Sequence, residues 1–230
     1  MNKAFHTAKN IVHKSLPGHL MREQRTRRSV KQFADRLGFV YFGFVNQRDD
    51  EHRLLRGITT SKSHTDHHYT VGTFDSYDIA LTVRRDTLEY PDRRLKDHFW
   101  TILTVDLHTT HDIPPFYLTH QRAKEQLLAR YTQMTPLITG TQAPTGNDFS
   151  TTYTVYANMT QAIEVQQLIN QHLSQGIMTY FKDMSIELVD DTLYLYAPEK
   201  HPSKQLLERM LMNGVWLAKT IDTVAPTIYQ

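Results

Sequence analysis

The stretch Ser29-Val30-Lys31-Gln32-Phe33-Ala34-Asp35-Arg36-Leu37-Gly38-Phe39-Val40-Tyr41-Phe42-Gly43-Phe44-Val45 is where the periodicity of the chain changes. Up to Leu37 the apolar residues fall at helical spacing, because Val30, Phe33, Ala34 and Leu37 make an i, i+3, i+4, i+7 stripe. Gly38 supplies the left-handed stop that commonly ends a helix. Beyond it the period is two: Phe39, Tyr41 and Val45 alternate with Val40, Phe42 and Phe44. A run so rich in aromatic and branched residues reads as a strand buried on both faces or nearly so. The spacing thus predicts a helix from about His19 to Leu37 feeding directly into a sheet.

Upstream, Met1, Phe5, Ala8, Val12 and Leu16 also sit at helical spacing, and Pro17-Gly18 interrupts them. Downstream, Leu54 to Thr59 is a weak strand. His68 to Phe74 and Tyr77 to Arg85 flank Asp75-Ser76 and read as a hairpin. Phe99 to Leu107 follows as a strand, with Phe99, Leu103, Val105 and Leu107 on one side and Trp100 and Ile102 on the other. Phe116 to Leu118 reads as a brief strand and Gln121 to Thr132 as a helix. Gln133 to Asp148, with Pro136, Gly140, Pro144, Gly146 and Asn147, reads as a long loop.

After the loop a compact βαββα pattern is expected. Phe149 to Tyr156 alternates as a strand. Asn158 with Gln161 resembles a capping pair for a helix through Ala162, Val165, Leu168, Ile169 and Leu173 that slackens near Gly176. Ser185 to Val189 and Thr192 to Tyr196 form a hairpin about Asp190-Asp191. A last helix starts near Ser203, buries Leu206, Leu207, Met210, Leu211, Trp216 and Ile221, and stops at Pro226.

Strands joined through hairpins imply mainly antiparallel pairing with helices on one face, hence an α+β fold in two consecutive sub-lobes. The organisation read from the sequence is a basic helical segment over 1–36, a first β-rich lobe over 37–135, a loop over 136–148 and a βαββα lobe over 149–224, together one compact domain.

The charge is uneven. Of the 26 Lys/Arg and 24 Asp/Glu that leave a net +2, residues 1–36 hold nine basic residues against Glu23 and Asp35, a balance of +7, and the rest is −5. The absence of cysteine excludes disulfides, thiolate zinc sites, iron–sulfur clusters and thiol nucleophiles. Lys3, Lys9 and Lys14 break every early apolar run, and no segment approaches the length of a spanning helix. The chain therefore reads as cytoplasmic, with peripheral membrane contact open.

The order of features is similar to that of a bacterial family of uncharacterised proteins carrying a domain of unknown function, over about residues 30–220. The carriers are Leu37-Gly38-Phe39-Val40-Tyr41 after a helix, Leu55-Arg56-Gly57, Val71-Gly72-Thr73-Phe74-Asp75, Leu107 through Pro115-Phe116, and Phe149 with Tyr153-Thr154-Val155-Tyr156-Ala157 ahead of Ala162. The resemblance implies an architecture and carries no activity, cofactor or catalytic residue. Members of such families often have membrane-spanning helices before the domain, where this chain has its basic segment.

Thirteen histidines include two groups, His64-Thr65-Asp66-His67-His68 and His108-Thr109-Thr110-His111-Asp112. Imidazole and carboxylate ligate divalent metals, so His64, His67, His68, His108 and His111 would form a site if the two groups converged. Their spacing is not diagnostic, and solvated loops account for them as well. Gly140 to Gly146 lacks the Lys-Ser/Thr that completes a phosphate-cradling loop, and Asn147-Asp148 follows instead. A serine elbow is missing, and Glu187, Asp190 and Asp191 read as turn formers at a hairpin tip. No catalytic residue is nominated.

The strongest signal is the run Arg22, Arg25, Arg27, Arg28, Lys31 and Arg36, which a helix would direct at solvent opposite Val30, Phe33 and Leu37. The reading that follows is a non-catalytic binding or scaffold domain whose segment 1–36 docks to an anionic surface, meaning acidic membrane or nucleic acid, or to another copy of the chain. The competing readings are a metal-dependent enzyme built on the histidines and a small-molecule sensor with its ligand between the two lobes.

Overall fold

The computed structural model describes residues 17–44, 64–89, 94–109, 111–120, 134–137 and 148–228. Nine strands form one antiparallel sheet: β1 (Val40–Phe44), β2 (Thr65–Phe74), β3 (Tyr77–Glu89), β4 (Leu95–Asp106), β5 (Phe116–His120), β6 (Thr135–Leu137), β7 (Tyr153–Ala157), β8 (Ser185–Val189) and β9 (Thr192–Ala197). Their order across the sheet is β1-β2-β3-β4-β9-β8-β5-β7-β6. The helices are α1 (Pro17–Leu37), α2 (Asp148–Thr152), α3 (Ala162–Leu168), α4 (Gln171–Tyr180) and α5 (Lys204–Ile228), with a 3₁₀ turn at Met159–Gln161. The architecture is the α+β fold with mainly antiparallel pairing that the hairpin pattern implies.

Both hairpin turns close as expected from their residue types. Asp75 and Ser76 have φ of 52° and 69°, Asp190 and Asp191 of 49° and 56°, so each pair occupies the left-handed region that two-residue turns between right-twisted strands require. The first β-rich half, β1 to β4, meets the C-terminal strands where β4 pairs with β9. β5 lies between β8 and β7, inside the C-terminal half of the sheet.

Several expectations are corrected. The helix expected from about His19 opens two residues earlier, at Pro17, since proline at the first helical position has no hydrogen bond to lose. Val40, Phe42 and Phe44 are 56, 45 and 64% exposed, so β1 is not doubly buried. It stands at one end of the strand order, with a strand partner on one side only among the described residues. Thr135 to Leu137 makes β6 within the expected loop. Residues 148–152 are a helical turn before β7; at i, i+4 spacing Phe149 lies against Tyr153, with ring centroids 5.6 Å apart. The expected helix after Asn158 divides at Ile169, whose ψ of 58° leaves the helix. Asn170, not Asn158, provides the side-chain cap, its carboxamide oxygen accepting from the Leu173 N–H at 3.0 Å. α5 continues through Pro226 to Ile228. Leu206 and Trp216 are only partly buried. The expected elements at 1–16, 54–59 and 121–132, and the glycine-rich loop at 140–146, lie outside the described residues.

The sheet has two unlike faces. All buried helix residues that join a core, from Val30 and Phe33 to Ile221 and Ala225, pack on one face with Ile79, Leu81, Leu103, Val105, Leu118, Ile186 and Leu195. The second face is built by strand residues, mostly aromatic: Tyr69, Trp100, Tyr117, Tyr156, Tyr194 and Tyr196 with Ala80 and Ile102. Between these rings lie buried charges. Arg84, 1% exposed, holds Asp66 through Nε–Oδ1 at 2.7 Å and Nη2–Oδ2 at 2.8 Å. Asp86 stands across from His98 in the β3–β4 register, and Tyr196 donates a short hydrogen bond to Glu187. Burial, with the Glu187 carboxylate beside it, pushes the Tyr196 phenol well above its ordinary pKa.

A two-pronged ion pair out of water is costly to break from one side. Asp66→Ala should lower unfolding free energy by about 3–5 kcal/mol, because the guanidinium stays buried without its partner. Asp66→Leu with Arg84→Met should recover most of that loss, and urea denaturation of the single and double variants measures both.

Candidate cationic surface

α1 is a helix because its stripe must be buried, and the stripe fixes where its charges point. Val30 and Ala34 are fully buried, Phe33 nearly so, and Phe33 meets Phe39 edge-on at 6.2 Å between centroids. At 100° per residue, Arg25 and Arg28 fall opposite this stripe. Arg22 and Arg36 lie on one flank, Arg27 and Lys31 on the other. All six are exposed.

Arg36 pairs with Glu208 of α5, which places the first flank against α5. The charge of Arg27 acts on the Tyr41 hydroxyl of β1, opposing the rise in its pKa that burial causes, which places the second flank at the β1 edge of the sheet. Arg22, Arg25, Arg28 and Lys31 have no ion pair among the described residues. Arg36 in the last turn also complements the helix dipole.

Two histidines pin this helix to the body. His68 Nδ1 lies 2.8 Å from the Tyr41 hydroxyl and its Nε2 3.0 Å from Glu23 Oε1. With a proton on Nε2 the hydrogen bonds run in one direction, from Tyr41 to His68 to Glu23. A β-bulge puts His68 there: its φ is 59°, and the β2–β3 register shifts between His67 and Thr70. Thr26 donates to the Arg22 carbonyl at 3.1 Å, so at 2.6 Å His201 Nδ1–H donates to Thr26 Oγ1.

Desolvation lowers the pKa of His68 below 6.5, and the neighbouring His67 and Arg27 act in the same direction while Glu23 opposes them. Desolvation also lowers that of His201, with Lys200 and Arg22 adding to it and Glu23 and Glu199 opposing.

The two histidine groups predicted as metal ligands sit at opposite ends of β2. His67 and His68 are beside α1, with His64 just before the strand. His108 stacks on Tyr77 at 4.2 Å, its Nε2 is 3.2 Å from the carbonyl of Ser76 in the β2–β3 turn, and His111 follows three residues on. From His67 to that turn the strand runs roughly 20–25 Å. Among the described residues no group of three or more His, Asp or Glu is arranged to hold a metal. Asp66, read as part of the first group, instead holds Arg84.

Glu187 is buried on the second face rather than solvated at the hairpin tip. Its burial was not legible because β8 gives no hint of which face is covered. The roles of His201, Thr26 and Tyr41 are long-range and leave no local signature.

The turn end of the sheet is acidic. Asp222 accepts from the Tyr77 hydroxyl at 2.8 Å and from the backbone N–H groups of His108 and Thr109 at 3.1 and 3.0 Å. Burial raises the pKa of Asp191, and the charges of Asp112, Asp190 and Asp222 add to the effect. α1 runs antiparallel to β1, which itself opposes β2, so Arg22 and Arg25 sit at the end of the sheet away from these aspartates.

The fold and the surface together define an α+β domain with a helix-mounted cationic array. No family model matches the chain, and no curated protein matches it. Among solved structures, the chain is similar to the mycobacterial trehalose monomycolate transport factor A, TtfA, with a TM-score of 0.58 and 13% identity over 86% of this chain and 93% of that one. That likeness is one of fold. Among the described residues no helix is long and apolar enough to cross a membrane.

A histidine whose folded pKa is lowered contributes stability that is complete above the ordinary value near 6.5 and is lost as pH falls through the folded value. Protonation of His68 on Nδ1 removes the acceptor for Tyr41, and protonation of His201 adds charge next to Lys200 and Arg22. The melting temperature of the parent should therefore fall more steeply from pH 7 to pH 5 than that of His68→Asn/His201→Gln. Equal slopes would exclude these two histidines as the cause.

Proposed function

We propose that this chain is a non-catalytic binding or scaffold domain whose basic N-terminal segment docks to an anionic surface or to another copy of the chain. The supporting observation is that all six cations expected to face solvent do so on α1, and that all but Arg36 have no ion pair among the described residues. Exposed single pairs contribute little, whereas an array of free cations on one rigid helix adds its contacts without further ordering cost. The acidic turn end gives the molecule a charge axis, which orients it toward a negative surface and also permits head-to-tail contact between copies. The transport role in the name of the mycobacterial neighbour is compatible with a domain that binds rather than reacts.

Arg25→Glu, Arg28→Glu and Lys31→Glu together should move elution from a heparin column to markedly lower salt, with far-ultraviolet circular dichroism unchanged. Unchanged retention would refute the reading. Light scattering across a salt series separates self-association, which would appear as a mass that falls with rising salt and with the same substitutions.

A further inference from the structure

We infer that the outer face of the helix layer, carried by α1, α4 and α5, meets an anionic phospholipid bilayer, with Met21, Met212, Tyr180 and Trp216 entering the headgroup region among Arg25, Arg28 and Arg209. This rests on the anionic-surface reading and names its partner. The three helices contribute Val30, Ile177 and Leu207 to one core on one face of the sheet, so their opposite sides form a single outer surface. α1 and α5 are neighbours through Arg36–Glu208 and Thr26–His201, and α4 meets α5 where Asn213 donates to the Tyr180 carbonyl.

Apolar groups and cations share that surface on each helix. On α1, Met21, Arg25 and Arg28 stand at i, i+4 and i+7, opposite the buried stripe. On α5, Arg209, Met212 and Trp216 stand at i, i+3 and i+7, turned away from the buried Leu207, Met210, Leu211, Leu217 and Ala218. Met21, Met212 and Tyr180 are 62, 58 and 46% exposed, among the highest values for large apolar side chains in the described structure. Trp216 reaches across to α4, where a Cβ on Gly176 would stand 2.2 Å from its ring, and Tyr180 packs on it at 5.2 Å between centroids. Both rings are thus held in place, and little side-chain freedom remains to be lost on insertion. Of the acids on α1 and α5, Glu23 is bound to His68, Glu208 to Arg36 and Lys204, and Asp222 to Tyr77. That leaves Asp35 against Arg25, Arg28 and Arg209, which have no ion pair among the described residues.

Charge and apolarity side by side select among anions. The acidic end of a second copy would match the cations through Asp75, Asp112, Asp190 and Asp191, but aspartates do not match methionines. Nucleic acid offers phosphates to the cations, yet base stacking needs open rings. Trp216 is hemmed by Tyr180, Phe181 and His172 at 5.2, 6.2 and 6.5 Å, and the methionines have no ring. A bilayer interface supplies phosphates and an apolar boundary at the same depth, where tryptophan and tyrosine concentrate and nearby arginines meet acidic headgroups.

The test uses the full chain with vesicles of phosphatidylcholine alone and vesicles containing phosphatidylglycerol. Sedimentation should occur with the second and not the first; equal sedimentation with both, or none with either, would overturn the inference. Met212→Ser/Tyr180→Ser should weaken it about tenfold while leaving heparin retention unchanged. Arg209→Glu, which leaves α1 intact, should weaken it at least about fivefold. The emission of Trp216, separated from that of buried Trp100 by the Trp216→Phe variant, should be quenched by brominated phosphatidylcholine mixed into the anionic vesicles. If Arg25→Glu/Arg28→Glu abolishes sedimentation while the serine and Arg209 variants bind like the parent and Trp216 is not quenched, this inference falls and the anionic-surface reading stands. If the α1 charge reversals change neither sedimentation nor heparin retention, both fall. Tighter binding to a single-stranded oligonucleotide, weakened by the same serine changes, would assign this surface to nucleic acid and overturn the bilayer.

Discussion

Burial of Val30, Phe33 and Ala34 against the sheet sets the rotation of α1, and every cation on that helix is placed by it. Each of the two larger side chains contributes on the order of 1.5–3 kcal/mol when taken from water, more than any single surface charge can offset. The apolar stripe therefore decides the geometry, and the charges follow it outward. The chain of hydrogen bonds from Tyr41 through His68 to Glu23 then ties the helix to the first two strands.

The sheet carries this helix on a mainly apolar face and hides a second face of a different kind. Aromatic rings there surround the Arg84–Asp66 pair and the Tyr196–Glu187 bond, so buried charge is met by partners in fixed directions. Such groups stabilise little in net terms, yet a shift of one residue in strand register would strand them unpaired, and this penalises wrong pairings of the long β3 and β4. The rigid sheet separates a basic end, where α1 begins, from an acidic end at the two hairpin turns.

Much of this was readable in the chain. The helix ending at Gly38, both two-residue turns and the alternation in β3, β4, β8 and β9 depend on local periodicity and on residues suited to positive φ. The outward direction of the cations followed from the same stripe. Illegible features were those fixed by partners distant in sequence. Val40, Phe42 and Phe44 looked like core because period-two aromatics do not reveal whether a strand lies at an edge. Arg84 and Asp86, which alternate with Leu81 and Val83, are buried on the second face, and the cover over that face is not encoded locally. The break at Ile169-Asn170 was masked by apolar spacing that continues across it.

Arginine reactivity toward phenylglyoxal, read residue by residue by mass spectrometry, tests most directly whether α1 is a docked helix with a free cationic face. Arg25 and Arg28 should react rapidly in the free protein and become protected when anionic vesicles or a soluble polyanion are added, while buried Arg84 stays unreactive in both states. Reactivity of Arg25 and Arg28 that is unchanged by every anionic partner, or that is as low as that of Arg84 in the free protein, would contradict it.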